Sequence, residues 1–180
     1  MSNVTAYVDY FRQLAVRHKD ILHDPLTETG KGEIKRKRFC TFGNNEVING
    51  LRTGISFPAL IIELYDNNLS AESPYDIRQG SKGAFMVIDH AVENNFADEE
   101  RAYATAEGIM YDILKQVWQD HYGPNADRCT TPFKQFKFTC DITPTGKLFT
   151  NEYGWYVQFD FDLQNTIDIK EPPADGTFIN

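Results

Sequence analysis

The fold is decided by one stretch near the C-terminal end, which reads Tyr153-Gly154-Trp155-Tyr156-Val157-Gln158-Phe159-Asp160-Phe161-Asp162-Leu163-Gln164. From Trp155 onward, each apolar side chain is followed by a polar or amphipathic one. Because successive side chains of a β-strand point to opposite faces, the apolar ones share one face, whereas a helix would scatter them around its circumference. The stretch therefore predicts a strand of a half-covered antiparallel sheet, and its aromatic face needs an apolar cover.

A long helix over residues 98–121 is predicted to supply that cover. Its apolar stripe consists of Ala102, Ala106, Ile109, Met110, Ile113, Val117 and Trp118. Acidic residues in the first turn and His121 in the last turn suit the helix dipole, and Gly123-Pro124 ends the helix. We expect this stripe to pack on the aromatic face of the strand.

The remaining elements are predicted to be one helix and four strands. The helix covers residues 4–21 and ends at Asp24-Pro25, and the strands cover 33–42, 58–65, 83–92 and 132–143. The last of these strands is expected to form a hairpin with the opening stretch. Residues 66–83 are polar and predict a long loop, which in a compact domain is more often functional or an interface than idle.

The strand 58–65 is apolar on both faces and is expected to lie centrally in the sheet. Alternation places Leu64 with Leu60 and Ile62 on one face, and Tyr65 with Glu63 on the other. Glu63, surrounded by apolar residues, is expected to be buried and paired with a cation, either for catalysis or at an interface.

The order of elements predicts a single α+β domain over residues 1–169. We expect one mixed, mainly antiparallel sheet of about five strands, with the N-terminal helix and the long helix packed mainly on one face. Residues 170–180 contain Pro172 and Pro173 and predict an extended C-terminal arm. That arm carries Phe178 and Ile179, two apolar residues that need a surface.

The composition limits the class of protein. A length of 180 residues suits one domain with a real core, and the net charge of −8 argues against non-specific nucleic-acid binding by the whole surface. Three cysteines without a CxxC pair indicate reduced thiols of an intracellular protein. No secretory signal and no membrane-spanning apolar run is apparent, so we expect a soluble protein made in the cytoplasm.

Two pairs of residues could carry metal chemistry. Asp160 and Asp162 share a strand face and could flank a hard cation, although charges also belong on the solvent face of such a strand. Glu33-Ile34-Lys35 has the E-x-K spacing of metal-dependent nucleases, in which the lysine activates water. Both matches are short, and we expect no catalytic residue, no metal ligand and no cofactor.

Lys35-Arg36-Lys37-Arg38 is the one cationic run. On a strand its side chains would alternate between the two faces, so the run favours an edge strand guarded by charge. Its functional interpretation is contact with DNA phosphates or with an acidic neighbouring subunit.

The element order and two short segments resemble the tail-terminator (tail-completion) proteins of long-tailed phages. The segments are Phe57-Pro58-Ala59-Leu60-Ile61-Ile62-Glu63 and Gly154-Trp155-Tyr156-Val157-Gln158-Phe159-Asp160-Phe161. The resemblance covers roughly residues 4–165. It implies a structural protein of the virion neck that forms a homohexameric ring.

This resemblance also implies partners. The ring would cap the tail tube protein and receive the head–tail connector protein, with DNA only as passing cargo and no membrane contact. Candidate interface residues are Lys35, Arg36, Lys37, Arg38, Tyr156, Gln158, Asp160, Asp162, Phe178 and Ile179. The alternatives are a metal-dependent nuclease using Glu33 and Lys35, and a cytoplasmic adaptor domain.

Overall fold

A computed structural model describes residues 3–33, 36–42, 54–73, 76–124, 126, 131–148 and 151–163. They form two α-helices, a short 3-10 helix and five strands. The bounds are α1 Asn3–Arg17, the 3-10 helix Pro25–Thr29, β1 Phe39–Phe42, β2 Ala59–Ser73, β3 Asp76–His90, α2 Phe96–Tyr122, β4 Phe133–Pro144 and β5 Glu152–Leu163. The α+β prediction is confirmed, and the proposed boundary near residue 169 lies outside the described residues.

The five strands form one sheet in the order β1-β2-β3-β5-β4. β1 runs parallel to β2, and the other neighbouring pairs are antiparallel. The mixed, mainly antiparallel sheet is therefore confirmed. β5, the strand of the opening stretch, lies between β3 and β4 and is paired along both edges.

One face of the sheet carries the main core. Phe159 and Phe161 of β5 are buried there among other aromatic rings, and α2 covers this face as predicted. Trp118 is an exception to the predicted stripe, because it is 42% exposed while Leu114 is buried instead. α1 shares the cover, since the Tyr7 ring stacks on Phe161 with centroids 5.6 Å apart. Among the described residues, neither helix is long and apolar enough to cross a membrane.

The predicted loop over residues 66–83 is wrong. β2 and β3 continue through this segment as an antiparallel pair, from Asp66 opposite Lys82 to Ser73 opposite Asp76. A loop was inferred from side-chain polarity, but in paired strands the peptide groups bond to each other whatever the side chains are. The chain therefore extends as a two-stranded ribbon beyond the rest of the sheet.

A bulge in β2 changes the predicted faces of two residues. The register with β3 shifts between Glu63 and Asp66. Tyr65 consequently packs on the helix-covered core, while Leu64 is 46% exposed. The predicted positions of these two side chains are wrong because an extra residue reverses the alternation.

The segment between α1 and β2 also differs from the prediction. α1 ends at Arg17, and Asp24-Pro25 begins the 3-10 helix instead of ending α1. The Asp24 carboxylate accepts a hydrogen bond from the Leu26 N–H at 3.0 Å and so caps this turn. The strand predicted over residues 33–42 is restricted to Phe39–Phe42 within the described residues.

Candidate interface on the helix-free face of the sheet

The second face of the sheet carries the residues of β5 that the sequence singles out. Tyr156, Gln158, Asp160 and Asp162 alternate with the buried aromatic set and so project from the face opposite the helices. Among the residues that the structure describes, both helices pack on the other side. We call this second surface the helix-free face.

Four charged residues of alternating sign cross the helix-free face in one row. Asp66 of β2 lies opposite Lys82 of β3, Lys82 lies opposite Asp160 of β5, and Asp160 lies opposite Lys137 of β4. Residues directly opposite each other in antiparallel strands share a face and stand about 5 Å apart. We call these four residues the charge ladder. It runs negative, positive, negative, positive across four strands.

The charge ladder is accessible. Asp66, Lys82 and Lys137 are exposed, and Asp160 is half-buried between its two lysine neighbours. Opposite charges that face each other across strands stabilise a sheet modestly. Asp160 has a lysine opposite it on each side, which disfavours the alternative of a metal held between Asp160 and Asp162. The described residues contain no group of three or more His, Cys, Asp or Glu placed to hold a metal ion.

Tyr156 and Glu63 join two strands across β3. The Tyr156 hydroxyl donates a hydrogen bond to Glu63 Oε2 at 3.0 Å. Glu63 is half-buried, and the interface cation predicted for it stays a prediction. Burial, followed by the nearby Glu63 charge, raises the pKa of Tyr156 to about 12. The hydrogen bond requires a protonated phenol, because the phenol is the donor.

This pair predicts a specific alkaline titration. The pKa of Tyr156 in the folded state lies above the unfolded value of about 10, so its contribution to stability is complete below that pH and is lost as the pH rises through 12. Glu63→Gln removes the carboxylate charge that helps to raise the pKa of Tyr156, while the burial of Tyr156 remains. We expect the pKa of Tyr156 to fall but to remain above 10, as measured by tyrosinate absorbance with Tyr156→Phe as the blank.

Glu100→Gln makes the same chemical change on the exposed surface of α2 and serves as the control. Its titration should match that of the wild type. An unchanged Tyr156 transition in Glu63→Gln would show that the carboxylate does not act on the phenol.

The far end of the helix-free face is closed by the chain itself. Ala59, Ile61 and Ile88 form a small buried cluster there. Partly buried apolar residues from the flanking segments pack against it, namely Cys40, Ile55, Phe57, Met86 and Leu148. The accessible part of the face therefore extends from the row of Met86 and Tyr156 to the charge ladder.

The described part of the basic run, Arg36 to Arg38, lies elsewhere and is not in a strand. Arg36 is in a helical turn, and Lys37 and Arg38 precede β1. Arg38 donates from Nη1 to the carbonyl oxygens of Asp20 at 2.9 Å and Ile21 at 3.1 Å, so it fixes the chain after α1. An edge strand, β1, does follow the run, but the prediction that the charges lie on it is wrong for Arg36, Lys37 and Arg38, which precede it.

Arg36 and Arg38 also line a cleft of about 500 Å³ with His23 and Asp24. His23 is buried, and its ring accepts a hydrogen bond at Nδ1 from the backbone N–H of Arg38. Its Nε2 lies 2.9 Å from Glu28 Oε1. Glu33 is exposed. The other predicted residues of these sites, Lys35, Phe178 and Ile179, lie outside the described residues.

A second polar cluster joins the end of β3 to the start of α2. Arg101 donates to Asp89 Oδ2 at 2.8 Å, to Asp98 Oδ1 at 2.5 Å and to the carbonyl oxygen of His90 at 2.6 Å. His90 itself projects to the opposite face and contacts Glu152 Oε1 at 3.1 Å. Arg101 anchors the first turn of α2 to the sheet.

The sequence missed three of the four residues of the charge ladder. Asp66, Lys82 and Lys137 carry no motif, and only the strand register brings them beside Asp160. The predicted hairpin of β4 and β5 could have indicated that Lys137 lies opposite Asp160. The register shift between Lys137 and Cys140 hides this pairing from the sequence. No protein-family model matches this chain, and no curated protein is significantly similar to it.

Proposed function

We propose that this protein is a ring-forming structural subunit of a virion, located where the tail tube meets the head connector. The observation that carries the proposal is the two-stranded ribbon made by residues 68–73 and 76–80, which we call the arm. β5 pairs with β3 only from Ser81 onward, and β1 pairs with β2 only as far as Glu63. None of the other described strands therefore pairs with the arm.

An arm of this kind is suited to contact another molecule. It extends about 20 Å beyond the shared sheet, at 3.4 Å per residue. A two-stranded hairpin alone is marginally stable in water, so packing against a neighbour would stabilise it. Its strand edges, which no other described strand pairs with, offer peptide groups for pairing with another sheet.

The sheet offers matching positions on its own outer strands. β1 and β4 are the edges of the described sheet, and each has one strand partner. When one surface of a subunit docks on a different surface of the next, the contact repeats and closes into a ring if the rotation allows. The resemblance to tail terminators supports this ring and supplies the tail tube and connector as its partners. In this proposed structural role the protein catalyses no reaction and therefore needs no cofactor.

Removing the arm tests the proposal. Residues 68–80 can be replaced by Asn-Gly, a two-residue turn that joins Asn67 to its partner Ser81. We expect the wild-type chain of 20.6 kDa to form an assembly larger than a dimer, or rings in negative stain, alone or with purified tail tubes. The shortened protein should form no ring and nothing larger than a dimer in light scattering, and calorimetry should show an unchanged melting temperature.

Two results would contradict the proposal. One is a wild-type protein that stays monomeric at high concentration and ignores tail tubes. The other is a shortened protein that assembles as the wild type does, because the arm would then have no part in assembly.

A further inference from the structure

We infer that the helix-free face pairs with the same face of a second copy, around a two-fold axis parallel to the strands. The charge ladder is complementary to itself under this operation. Asp66 of one copy meets Lys137 of the other, and Lys82 meets Asp160, so the four charges of each copy face opposite charges. This contact is separate from the arm and goes beyond the proposed ring.

The alternating order selects one orientation. If the two-fold axis ran along the row, each residue would face its own copy, and every contact would join like charges. Rotation about either axis keeps the strands of the two sheets aligned, so the charges alone select the orientation. Face-to-face sheets pack within about 30° of alignment, so the favoured orientation is a common one.

The next row of the same face carries Glu63 on β2 and Asp141 on β4, which the two-fold axis brings together as like charges and which reduce the gain from the charge ladder. The row after that adds an apolar component. Met86 and Tyr156 are half-buried and stand two rows away from Lys82 and Asp160 on the same face. Four strands about 4.8 Å apart and three rows about 7 Å apart give a flat footprint of roughly 400 Å² per copy. This area belongs to the class of weak, reversible contacts, and its charge makes the association dependent on salt.

Exchanging single charges gives a sharp test. Asp160→Lys places lysine against Lys82 of the second copy, and Lys82→Asp places aspartate against Asp160. Each variant should therefore weaken its own pairing by about 10- to 100-fold, since two attractive contacts become repulsive. Mixed together, the two variants face each other with four opposite-charge contacts. The mixture should regain the wild-type dissociation constant within about threefold.

The measurement is sedimentation at chain concentrations of about 0.1–1 mM, where weak contacts of this size are populated. Wild-type mass should double at low salt and return to the smaller unit as salt rises from about 50 to 500 mM. Glu93→Lys, with the same change of charge on an exposed loop, should pair as the wild type does. The neutral variants Asp160→Asn and Lys82→Gln should weaken pairing less than the reversals, and they provide the test if a reversal does not fold.

Two outcomes overturn the inference: wild type that does not double at low salt, and charge-reversed variants that do not pair when mixed. The protein with the shortened arm keeps the charge ladder, so it should still pass from monomer to dimer. If the shortened protein forms dimers and the wild type forms nothing larger than a dimer, the ring is refuted and the face-to-face pairing stands. If the wild type forms rings whose mass never doubles at low salt, the face-to-face pairing is refuted and the ring stands.

Discussion

Gly154→Ala is expected to destabilise the folded protein by about 3 kcal/mol or more. A Cβ atom on Gly154 would lie 1.9 Å from the Val87 carbonyl oxygen and 2.8 Å from Ile88 Cα. Both are backbone atoms of β3, the strand paired with β5, so no side chain can rotate to make room. The variant must separate two central strands or remain unfolded.

Gly80→Ala is the matched control, because it changes a strand glycine of the same sheet where no atom lies within 4 Å of the added Cβ. Urea denaturation should show a change of less than about 1 kcal/mol for this control. Equal losses in the two variants would mean that the cost arises from strand glycines in general. In that case the contact with Val87 would not be its cause.

Phe159→Ala is expected to cost about 3–5 kcal/mol in the free energy of unfolding. Phe159 is 2% exposed, and its ring centroid lies 4.9 Å from that of Phe136 and 5.7 Å from that of Phe161. The rings of Phe11, Phe85 and Phe133 also surround it. Truncation would leave a cavity between the sheet and both helices, and rigid aromatic neighbours fill such a cavity poorly.

Phe138→Ala removes the same ring from the neighbouring strand β4, where it is 42% exposed. Its contacts are with Tyr122 and Phe136 at the rim of the core. Thermal or urea unfolding should therefore show a loss of about 1 kcal/mol. Losses of similar size at the two positions would contradict the central place assigned to Phe159.

The elements with one long, uninterrupted period were predictable. β5 alternates strictly from Trp155 to Leu163, and α2 keeps a helical stripe from Ala102 to Val117, so each pattern fits a single secondary structure. Their packing followed from the need of each apolar surface for a cover. Trp118 was misplaced because an aromatic residue at the margin of the stripe can point to solvent without breaking the period.

The arm and the charge ladder required information that a single segment does not contain. Polar residues after Asp66 suggested a loop, yet pairing with β3 makes them a strand. The bulge that turns Tyr65 inward is likewise a property of two strands together. Lys82 and Lys137 lie 55 residues apart in sequence, and only the position of β5 between their strands brings both beside Asp160.

The place of β5 in the sheet has a consequence for synthesis of the chain. It is the last described strand to leave the ribosome, yet it occupies an internal position between β3 and β4. Until residue 163 has emerged, the edges of both neighbours remain open, and α1 and α2 lack Phe159 and Phe161 as packing partners. Folding during translation can therefore reach only an open intermediate that exposes apolar surface. Nascent chains stalled before β5 should depend on chaperones, whereas chains released after it can close the sheet in one step.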